Sequence, residues 1–424
     1  MIEIRRGIRA DVALAVPPSK AHTLRALVLG ALAEGTTRVR NPLLGEDQIH
    51  LIECLRGLGV AVRVDGNAVG IDGCGGAFEP AADSLDCGES GVAMNFLASL
   101  ACLSSRPVTL TGKEGLLRRP VAEIVSGVRQ LGGDVSFVSA DGYPPLLARP
   151  SGLAGGLARM SGSKTSQYFS SLAVAAALAK ADSLVVCTDD MAEKPYFDIT
   201  VEMMRRFGGT ISGGEYREIA IPGRQRYRAT DVDVESDYSS ASYFIAAAAI
   251  MKSRVALSGL SRDSVQGDRK IVDYARAMGC KAEFSEEGLV VTGCGMTPVD
   301  ESFRDTPDLV PTVAVMAAFA PGESRIRDVA HLKFKECDRV GAIREGLSNM
   351  GIGTRVEGED LVIEGDPSRV RGAAIASHND HRIAMSFAVA GLALDGQTID
   401  DGDCVRKSFP DFWKAFSAFE ARES

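Results

Sequence analysis

The segment Leu55-Arg56-Gly57-Leu58-Gly59 ends with an apolar residue followed by glycine, and this pair recurs along the chain at intervals of 71 to 76 residues. Only glycine enters the left-handed backbone conformation without a Cβ clash, so each pair predicts the C-terminal end of an amphipathic helix. Similarity at a regular interval indicates an internal repeat. The recurring pairs are Leu58-Gly59, Leu131-Gly132, Phe207-Gly208, Met278-Gly279 and Met350-Gly351.

Each predicted amphipathic helix is preceded by an Ala-rich segment that is apolar on all sides, which is typical of a buried helix. These segments cover residues 21–33, 92–103, 168–179, 241–251, 309–320 and 383–394. Short β-branched runs follow them and predict strands. The runs cover residues 37–40, 108–111, 184–188, 255–258, 324–327 and 398–400. The order predicts six units of helix, strand, helix and strand, the last one truncated by the C-terminus.

The composition is that of a large enzyme with two domains of ordinary size, since the chain has 424 residues. A formal net charge of -9 argues against nucleic acid or an anionic membrane as the main partner. Nine cysteines without a C-x-x-C pair, and no signal peptide, predict reduced thiols in the cytoplasm. The longest apolar run, residues 241–251, is too short to span a bilayer. The histidines lack metal-ligand spacing, so we expect no metal site.

The residues that begin the predicted buried helices combine capping side chains with cations and acids. N-capping alone explains each Ser, Thr or Asp taken singly, but a cap does not need the added Lys, Arg and His. Helix N-termini present unpaired N–H groups and the positive end of the helix dipole, so several of them together predict an anion-binding site. The segments are Pro18-Ser19-Lys20, Gly88-Glu89-Ser90-Gly91, Thr165-Ser166-Gln167, Asp237-Tyr238-Ser239-Ser240, Pro307-Asp308 and Asn379-Asp380-His381-Arg382.

Further cations precede the second helix of several units. The stretch 333–339 holds five charged residues in seven and opens the helix that ends at Met350. A solvated helix face is the ordinary explanation of such a run. However, cations at a helix N-terminus oppose the helix dipole unless an anion lies between them. A cation also precedes proline at predicted helix starts in Arg119-Pro120, Lys194-Pro195 and Lys407-Ser408-Phe409-Pro410.

At these residues the chain resembles the enolpyruvyl transferase family, and in particular the branch that acts on shikimate 3-phosphate. The resemblance covers essentially the whole chain, and its most specific motifs are Lys335-Glu336-Cys337-Asp338-Arg339, Asn379-Asp380-His381-Arg382, Arg119-Pro120 and Thr165-Ser166-Gln167. It implies an inverse α/β barrel fold of two similar domains, each with three repeated βαβαββ-type units around buried helices. The first domain would hold residues 1–17 and 235–424 and the second 18–234, with the active site in the cleft between them.

The implied reaction transfers the enolpyruvyl group of phosphoenolpyruvate to the 5-hydroxyl of shikimate 3-phosphate and releases phosphate. It belongs to the shikimate pathway of aromatic amino acid biosynthesis and needs no metal or organic cofactor. By resemblance, phosphoenolpyruvate would be bound by Lys20, Gly91, Arg119, Arg339, Arg382 and Lys407. The acceptor would be bound by Arg25, Thr165, Ser166, Gln167, Tyr196, Asp308 and Lys335. Asp308 would accept or orient the hydroxyl proton, Glu336 would protonate the methylene carbon, and Lys20 is a further candidate for proton transfer.

Three positions depart from the family pattern on the acceptor side, namely Ala21, Asn95 and Glu193. Glu193 stands where a serine commonly contacts the 3-phosphate, and two like charges about 4 Å apart repel by about 4 kcal/mol at an effective dielectric near 20. Either Glu193 turns away, for example to pair with Lys194, or the acceptor is another hydroxyl compound from a specialised pathway. A non-catalytic α/β scaffold and a nucleic-acid 3′-phosphate enzyme are more distant alternatives. The expected partners are small molecules, and the expected assembly is a monomer.

Overall fold

The structure, a computed structural model, describes residues 1–8, 11–286 and 288–420. The α-helices over these residues are α1 (Lys20–Leu32), α2 (Glu46–Gly57), α3 (Gly91–Leu100), α4 (Glu114–Leu117), α5 (Ala122–Gln130), α6 (Gln167–Ala176), α7 (Lys194–Arg206), α8 (Tyr238–Met251), α9 (Ile271–Ala277), α10 (Val310–Ala318), α11 (Arg339–Asn349), α12 (His381–Gly391) and α13 (Phe412–Phe416).

The strands over the same residues are β1 (Ile2–Glu3), β2 (Asp11–Ala15), β3 (Glu34–Arg40), β4 (Ala61–Asp65), β5 (Ala68–Cys74), β6 (Ser84–Asp86), β7 (Val108–Thr111), β8 (Asp134–Phe137), β9 (Leu146–Arg149), β10 (Gly156–Met160), β11 (Ser183–Cys187), β12 (Ser212–Gly214), β13 (Glu218–Ile221), β14 (Asp231–Asp233), β15 (Arg254–Ser258), β16 (Lys281–Ser285), β17 (Gly288–Thr292), β18 (Asp300–Ser302), β19 (Gly322–Arg327), β20 (Gly353–Glu357), β21 (Asp360–Gly365), β22 (Ala374–Ile375) and β23 (Thr398–Ile399).

The chain divides into two compact units, each with its own hydrophobic core. Unit 1 contains Met1–Pro17 and the chain from Glu235 onward, and unit 2 contains Pro18–Val234. Helices α1, α3 and α6 are buried in unit 2, and α8, α10 and α12 are buried in unit 1. These are the six helices that the Ala-rich segments predict.

Within the described residues, each unit has three sheets that surround its buried helices. The strand orders in unit 2 are β14-β3-β5-β4, β6-β7-β9-β8 and β10-β11-β13-β12; those in unit 1 are β16-β17-β15-β2, β18-β19-β21-β20 and β1-β23-β22. In the sheet of β6, a buried helix joins β6 to its parallel neighbour β7, and an amphipathic helix leads to the antiparallel hairpin of β8 and β9. This is the predicted βαβαββ unit, and the α/β fold class is confirmed.

Two strands pair with partners that are distant in the sequence, and we call this arrangement the strand exchange. Strand β2 comes before α1 in the sequence, yet it pairs in parallel with β15, which follows α8. Strand β14 comes before α8, yet it pairs in parallel with β3, which follows α1. At the end of the chain, β1 pairs antiparallel with β23 and completes the sheet of the last, shorter repeat. The sequence analysis gives the division of the chain only as an implication of the family resemblance, and it does not name these strand pairings.

The glycine of each recurring pair adopts a positive φ, between 82° and 99°, after the last turn of its helix. At Gly59 the N–H donates to the carbonyl of Arg56, and the next N–H, of Val60, donates to Leu55. This is the Schellman arrangement, in which a left-handed residue allows two otherwise unpaired carbonyls to accept hydrogen bonds. Gly132, Gly208, Gly279 and Gly351 end α5, α7, α9 and α11 with the same two bonds. The predicted helix ends are therefore confirmed.

Small hydroxyl side chains connect the buried helices of unit 1. Thr312 of α10 lies 3.1 Å from Ser242 of α8 and 3.1 Å from Ser386 of α12, measured between the side-chain oxygens. All three are buried, and each hydroxyl has a partner on another buried helix. Over the described residues, every helix is too short or too polar to cross a membrane.

Candidate active site

The N-termini of the buried helices of unit 1 carry carboxylates. Asp237 and Asp380 are the N-caps of α8 and α12, and each accepts a hydrogen bond from an N–H of the first turn. Asp308 lies in the 3₁₀ turn Pro307–Leu309 that leads into α10. The predicted capping role of Asp380 is confirmed, and these carboxylates surround the cations described next.

Arg339 is the centre of this cluster, and its guanidinium contacts three carboxylates. Its Nε lies 2.7 Å from Asp380, its Nη1 2.8 Å from Asp308 and its Nη2 2.7 Å from Glu336. The Arg339 side chain is 1% exposed and that of Asp380 is 0% exposed. A buried charge requires this degree of pairing, because an unpaired one is costly to remove from water.

Arg382 and Lys407 extend the cluster. Arg382 Nη2 lies 2.6 Å from the second oxygen of Asp308, and its Nη1 donates to the Tyr243 hydroxyl at 3.3 Å. Lys407 Nζ lies 3.2 Å from the second oxygen of Glu336. Lys407 ends the 3₁₀ turn Asp403–Lys407, and α13 begins at Phe412 rather than at Pro410. The structure thus joins five predicted site residues of unit 1 in one network.

The network sets the pKa values of its members. Burial alone would raise the pKa of Asp308, but Arg382 and Arg339 outweigh it and hold the value at about 2. Burial alone would lower the pKa of Arg339, but Asp380, Glu336 and Asp308 raise it well above its usual range. Nearby, burial and then the charge of Asp308 raise the pKa of Asp268 to about 7. Asp308 is therefore ionised at neutral pH, and Arg339 remains a cation.

Arg25 of α1 is a buried cation of a different kind. Its Nε donates to the Thr200 hydroxyl at 2.7 Å, and its two Nη atoms donate to the carbonyls of Tyr196 at 2.7 Å and Ala21 at 3.1 Å. Its guanidinium carbon lies 5.7 Å from the centre of the Phe96 ring. Burial lowers the pKa of Arg25 to about 10. Among the described residues, Arg25 has no carboxylate partner.

Lys20 and Arg119 of unit 2 each face a carboxylate. Lys20 is the first residue of α1, capped by Ser19, and its Nζ lies 2.7 Å from Asp47. Arg119 lies more loosely, 3.7 Å from the Glu89 carboxylate and 3.3 Å from the Glu89 carbonyl. Its buried Nε has no hydrogen-bond partner among the described residues. An unsatisfied buried donor of this kind fits an anionic ligand.

Gly91 is the first residue of α3 and lies against Arg119. A Cβ at Gly91 would lie 3.3 Å from Arg119 Nη1, which is tighter than ordinary contact. The missing side chain therefore leaves room for the guanidinium at this helix N-terminus.

The predicted acceptor residues at the start of α6 contact Glu193. The Thr165 hydroxyl donates to the Glu193 carboxylate at 2.6 Å, and the Ser166 hydroxyl donates to the Glu193 carbonyl at 2.7 Å. The Gln167 N–H donates to the Thr165 hydroxyl at 3.2 Å. Glu193 is buried and precedes α7 with a φ of 62°, a left-handed conformation that is uncommon for a residue with a side chain. Lys194 pairs with Asp190 at 3.0 Å.

Lys335 is a half-buried residue that follows the 3₁₀ turn Ala330–Phe334. Its backbone N–H donates to the Leu332 carbonyl at 3.3 Å. It stands next to Glu336 in the chain, and its assignment to the acceptor stays a prediction.

The sequence analysis does not identify Asp47, Tyr243 and Thr200 as partners of the predicted site residues, and it lists Glu89 at a helix start without pairing it with Arg119. Each is an ordinary polar residue within a helix or loop, and the chain brings it to a predicted cation only through tertiary contacts. Asp380 is predicted as a cap, and the structure adds its ion pair with Arg339. Among the described residues, no three His, Cys, Asp or Glu side chains are grouped to hold a metal ion.

Comparison with known proteins gives a consistent result. The family model described as EPSP synthase (3-phosphoshikimate 1-carboxyvinyltransferase) matches residues 4–416. The 3-phosphoshikimate 1-carboxyvinyltransferase of Methanoculleus marisnigri is 42% identical over 408 residues, which cover 96% of each chain. That of Photobacterium profundum is 38% identical over 402 residues, which cover 94% of each chain. A solved EPSP synthase from Acinetobacter baumannii superposes with a TM-score of 0.82 at 27% identity, over 99% of this chain and 98% of that one. The chain therefore belongs to the EPSP synthase family.

Proposed function

We propose that the protein transfers the enolpyruvyl group of phosphoenolpyruvate to the 5-hydroxyl of shikimate 3-phosphate, with release of phosphate. The observation that carries the proposal is the unit 1 network, in which Arg339, Arg382 and Lys407 alternate with Asp308 and Glu336. The cations suit a small ligand that bears a phosphate and a carboxylate. The carboxylates suit the proton transfers that addition and elimination require.

The addition step forms a bond between the acceptor oxygen and C2 of phosphoenolpyruvate. The hydroxyl proton must leave the oxygen, and the methylene C3 must gain a proton to become a methyl group. Asp308 is our candidate to receive the hydroxyl proton. Its low pKa makes it a weak base while Arg382 and Arg339 contact it. When the anionic groups of phosphoenolpyruvate draw these guanidiniums away, the proton affinity of Asp308 rises.

Glu336 is our candidate donor to the methylene carbon. Both of its oxygens contact cations, Arg339 and Lys407, which favour the ionised form. The same displacement by phosphoenolpyruvate weakens these contacts and allows Glu336 to hold the proton. In the elimination step the C2–O bond to phosphate breaks and C3 loses a proton, for which Glu336, Lys407 and Lys20 are candidates.

The unit 2 residues complete the assignment. We assign Lys20, Gly91 and Arg119 to phosphoenolpyruvate, since Arg119 Nε is buried and has no hydrogen-bond partner in the described part of the chain. We assign Arg25 and Tyr196 to the acceptor, together with Thr165, Ser166, Gln167, Asp308 and Lys335. Among the described residues, the hydrogen-bond partners of the buried Arg25 guanidinium are neutral oxygens, which suits a role in binding the acceptor carboxylate.

Incubation with phosphoenolpyruvate and shikimate 3-phosphate tests the proposal, with phosphate release as the measurement. We expect release that depends on both compounds. Lys20→Ala in unit 2 and Arg382→Ala in unit 1 should each lower kcat/KM for phosphoenolpyruvate by at least about tenfold, since charge-assisted hydrogen bonds contribute about 1.5 to 3 kcal/mol each. Absence of release by the folded protein would refute the assignment of the acceptor.

A second candidate function, transfer to a less negatively charged hydroxyl acceptor, is favoured by Glu193. Its carboxylate accepts the hydrogen bond of the Thr165 hydroxyl, and Thr165 is a residue that we assign to the acceptor. Glu193→Gln keeps an acceptor oxygen for Thr165 and removes the charge. If shikimate 3-phosphate is the substrate, we expect its KM to fall by about tenfold or more, because the repulsion is worth several kcal/mol at short range. The matched control is Glu202→Gln on α7, which should leave that KM unchanged.

The proposal also includes the cytoplasm as the compartment and a monomer as the assembly. Sedimentation velocity at micromolar concentration tests the assembly, and we expect a single species of the mass of one chain.

A further inference from the structure

We propose that the hydroxyl of Thr200 is a positioning group that aims the guanidinium of Arg25 at the carboxylate of the acceptor. This inference rests on the proposed function, because it takes Arg25 as the residue that binds that carboxylate. Thr200 itself touches neither substrate in the proposal. It acts through Arg25.

The geometry on which the inference rests is a two-point contact on one edge of the guanidinium. Arg25 Nε donates to Thr200 Oγ1 at 2.7 Å, and Arg25 Nη2 donates to the Tyr196 carbonyl at 2.7 Å. Thr200 and Tyr196 are four residues apart on α7, so their oxygens lie on the same side of that helix. Together they offer the planar Nε–Nη2 edge two acceptors, as a carboxylate does, but without a negative charge.

The remaining contacts of Arg25 fix its plane. Nη1 donates to the Ala21 carbonyl at 3.1 Å, and the Phe96 ring lies 5.7 Å from the guanidinium carbon. Three of the five guanidinium N–H groups are thus directed at protein oxygens, and two are left without an acceptor among the described residues. A cation that is buried without a counter-ion has its charge available to an anionic ligand, and its two remaining N–H groups can bind a carboxylate in a bidentate manner.

Thr200 is itself held so that it must accept from Arg25. Its hydroxyl donates to Ser170 Oγ at 2.8 Å or to the Tyr196 carbonyl at 3.0 Å. The hydroxyl has one proton, and both of these contacts compete for it, so a lone pair faces Arg25 Nε. Thr200 and Ser170 are both buried, which prevents water from replacing the contact. The hydroxyl is therefore the one acceptor on this edge that a side-chain substitution removes.

Three variants test the inference by steady-state kinetics of phosphate release. Thr200→Val preserves the side-chain shape and removes the acceptor, and Thr200→Ser preserves the acceptor. Thr37→Val is the matched control, since Thr37 is equally buried in unit 2 and its hydroxyl has no hydrogen-bond partner among the described residues. We expect Thr200→Val to raise KM for shikimate 3-phosphate by about tenfold or more, in line with the loss of a charged hydrogen bond. The KM of Thr200→Val for phosphoenolpyruvate should stay within about threefold of the wild-type value. For Thr200→Ser and Thr37→Val, the KM values for both substrates should stay within the same limit.

An acceptor analogue that carries a hydroxymethyl group in place of the carboxylate separates positioning from general disruption. The wild type should have a high KM for this analogue, and Thr200→Val should not raise that KM further. A general loss of packing would instead affect both acceptors equally. Equal acceptor KM values for Thr200→Val and Thr200→Ser would refute the inference, and so would an equal loss with the analogue. The absence of turnover by the wild type would instead refute the proposed function.

Discussion

The two units hold their buried arginines in opposite ways. Arg339 of unit 1 is surrounded by three carboxylates, whereas Arg25 of unit 2 is surrounded by two carbonyls, a hydroxyl and an aromatic ring. The pKa of Arg339 is raised by its acidic partners, and that of Arg25 is lowered by burial to about 10. An arginine can thus be buried either with carboxylates that balance its charge or, among the described residues, with neutral hydrogen-bond acceptors. Under the proposed function, the second arrangement leaves the charge of Arg25 for a ligand.

The largest expected effect is that of Arg339→Met. Three carboxylates would lose their shared cation, and breaking a buried ion pair costs about 3 to 5 kcal/mol of the free energy of unfolding. Turnover should fall by at least about a hundredfold, since two of those carboxylates carry the proposed proton transfers. Urea denaturation and phosphate release measure the two effects.

The control for that prediction is Arg355→Met in the same unit. Arg355 contacts Glu323, Glu357 and Glu364 on the surface, and its side chain is 38% exposed. Exposed ion pairs contribute little, so we expect almost unchanged unfolding and turnover. Equal destabilisation by the two substitutions would contradict the organising role of Arg339.

Arg25→Met should separate function from stability. We expect KM for the acceptor to rise by about ten- to a hundredfold, because charged hydrogen bonds contribute about 1.5 to 3 kcal/mol. The free energy of unfolding should change by less than about 1 kcal/mol, since replacing a buried charge by an apolar side chain removes its desolvation cost. A loss of stability as large as that of Arg339→Met would show that the two arginines are alike.

The pH dependence of unfolding distinguishes two carboxyls of unit 1. Asp268 has its pKa raised to about 7, so the folded state binds its proton more tightly than the unfolded chain does, and stability falls as the pH rises from about 4 to 7. Asp268→Asn removes this loss, and its stability relative to the wild type should rise across that range by about 1.4 kcal/mol per pH unit at most.

Asp308 should show the opposite sign. Its pKa of about 2 lies below the value in the unfolded chain, so its contribution is present above about pH 4 and is lost as the pH falls toward 2. The free energy of unfolding of Asp308→Asn should therefore be lower than that of the wild type above about pH 4, and this difference should become smaller as the pH falls toward 2. Urea denaturation at pH 2 to 8 measures both variants, and parallel profiles would argue against the two assignments.

The smallest expected effect is that of Thr37→Val in unit 2. Its hydroxyl is buried without a partner among the described residues, so the substitution should raise the free energy of unfolding by about 1 kcal/mol. Thr200→Val removes a hydroxyl that is hydrogen-bonded and should not stabilise. Melting curves of the two variants test this difference. Equal stabilisation by Thr37→Val and Thr200→Val would show that the hydrogen bonds of the Thr200 hydroxyl do not contribute to stability.

The repeat could be predicted from the sequence because its signals are local. A glycine such as Gly59 ends its helix through its own backbone freedom and the hydrogen bonds of its immediate neighbours. The buried helices follow likewise from runs of small apolar residues. The resemblance implies that residues 1–17 belong with residues 235–424, but no local signal predicts the strand pairings themselves, because the partners lie far apart in the chain: β2 pairs with β15, and β14 pairs with β3.

The candidate site divides in the same way between local and tertiary signals. Motif residues such as Arg339 and Arg382 are recognisable from the chain, and their charges indicate an anionic ligand. Their partners depend on tertiary packing. Nothing local marks Thr200 as the acceptor for Arg25, or Asp47 as the partner of Lys20. Such contacts join residues that are distant in the chain, so they follow from the tertiary fold and not from the local sequence.

The exchanged strands have one more consequence, for dissection of the polypeptide. Pro18–Val234 is a single continuous stretch that contains every strand of its own sheets, including β14. It is inserted between Pro17 and Glu235, and these ends lie close together, since the Asp237 N–H donates to the Pro17 carbonyl at 2.8 Å. A short synthetic linker in place of the insert would therefore join Pro17 to Glu235 and make unit 1 a continuous chain. The two halves could then be expressed from separate genes and tested for complementation in trans.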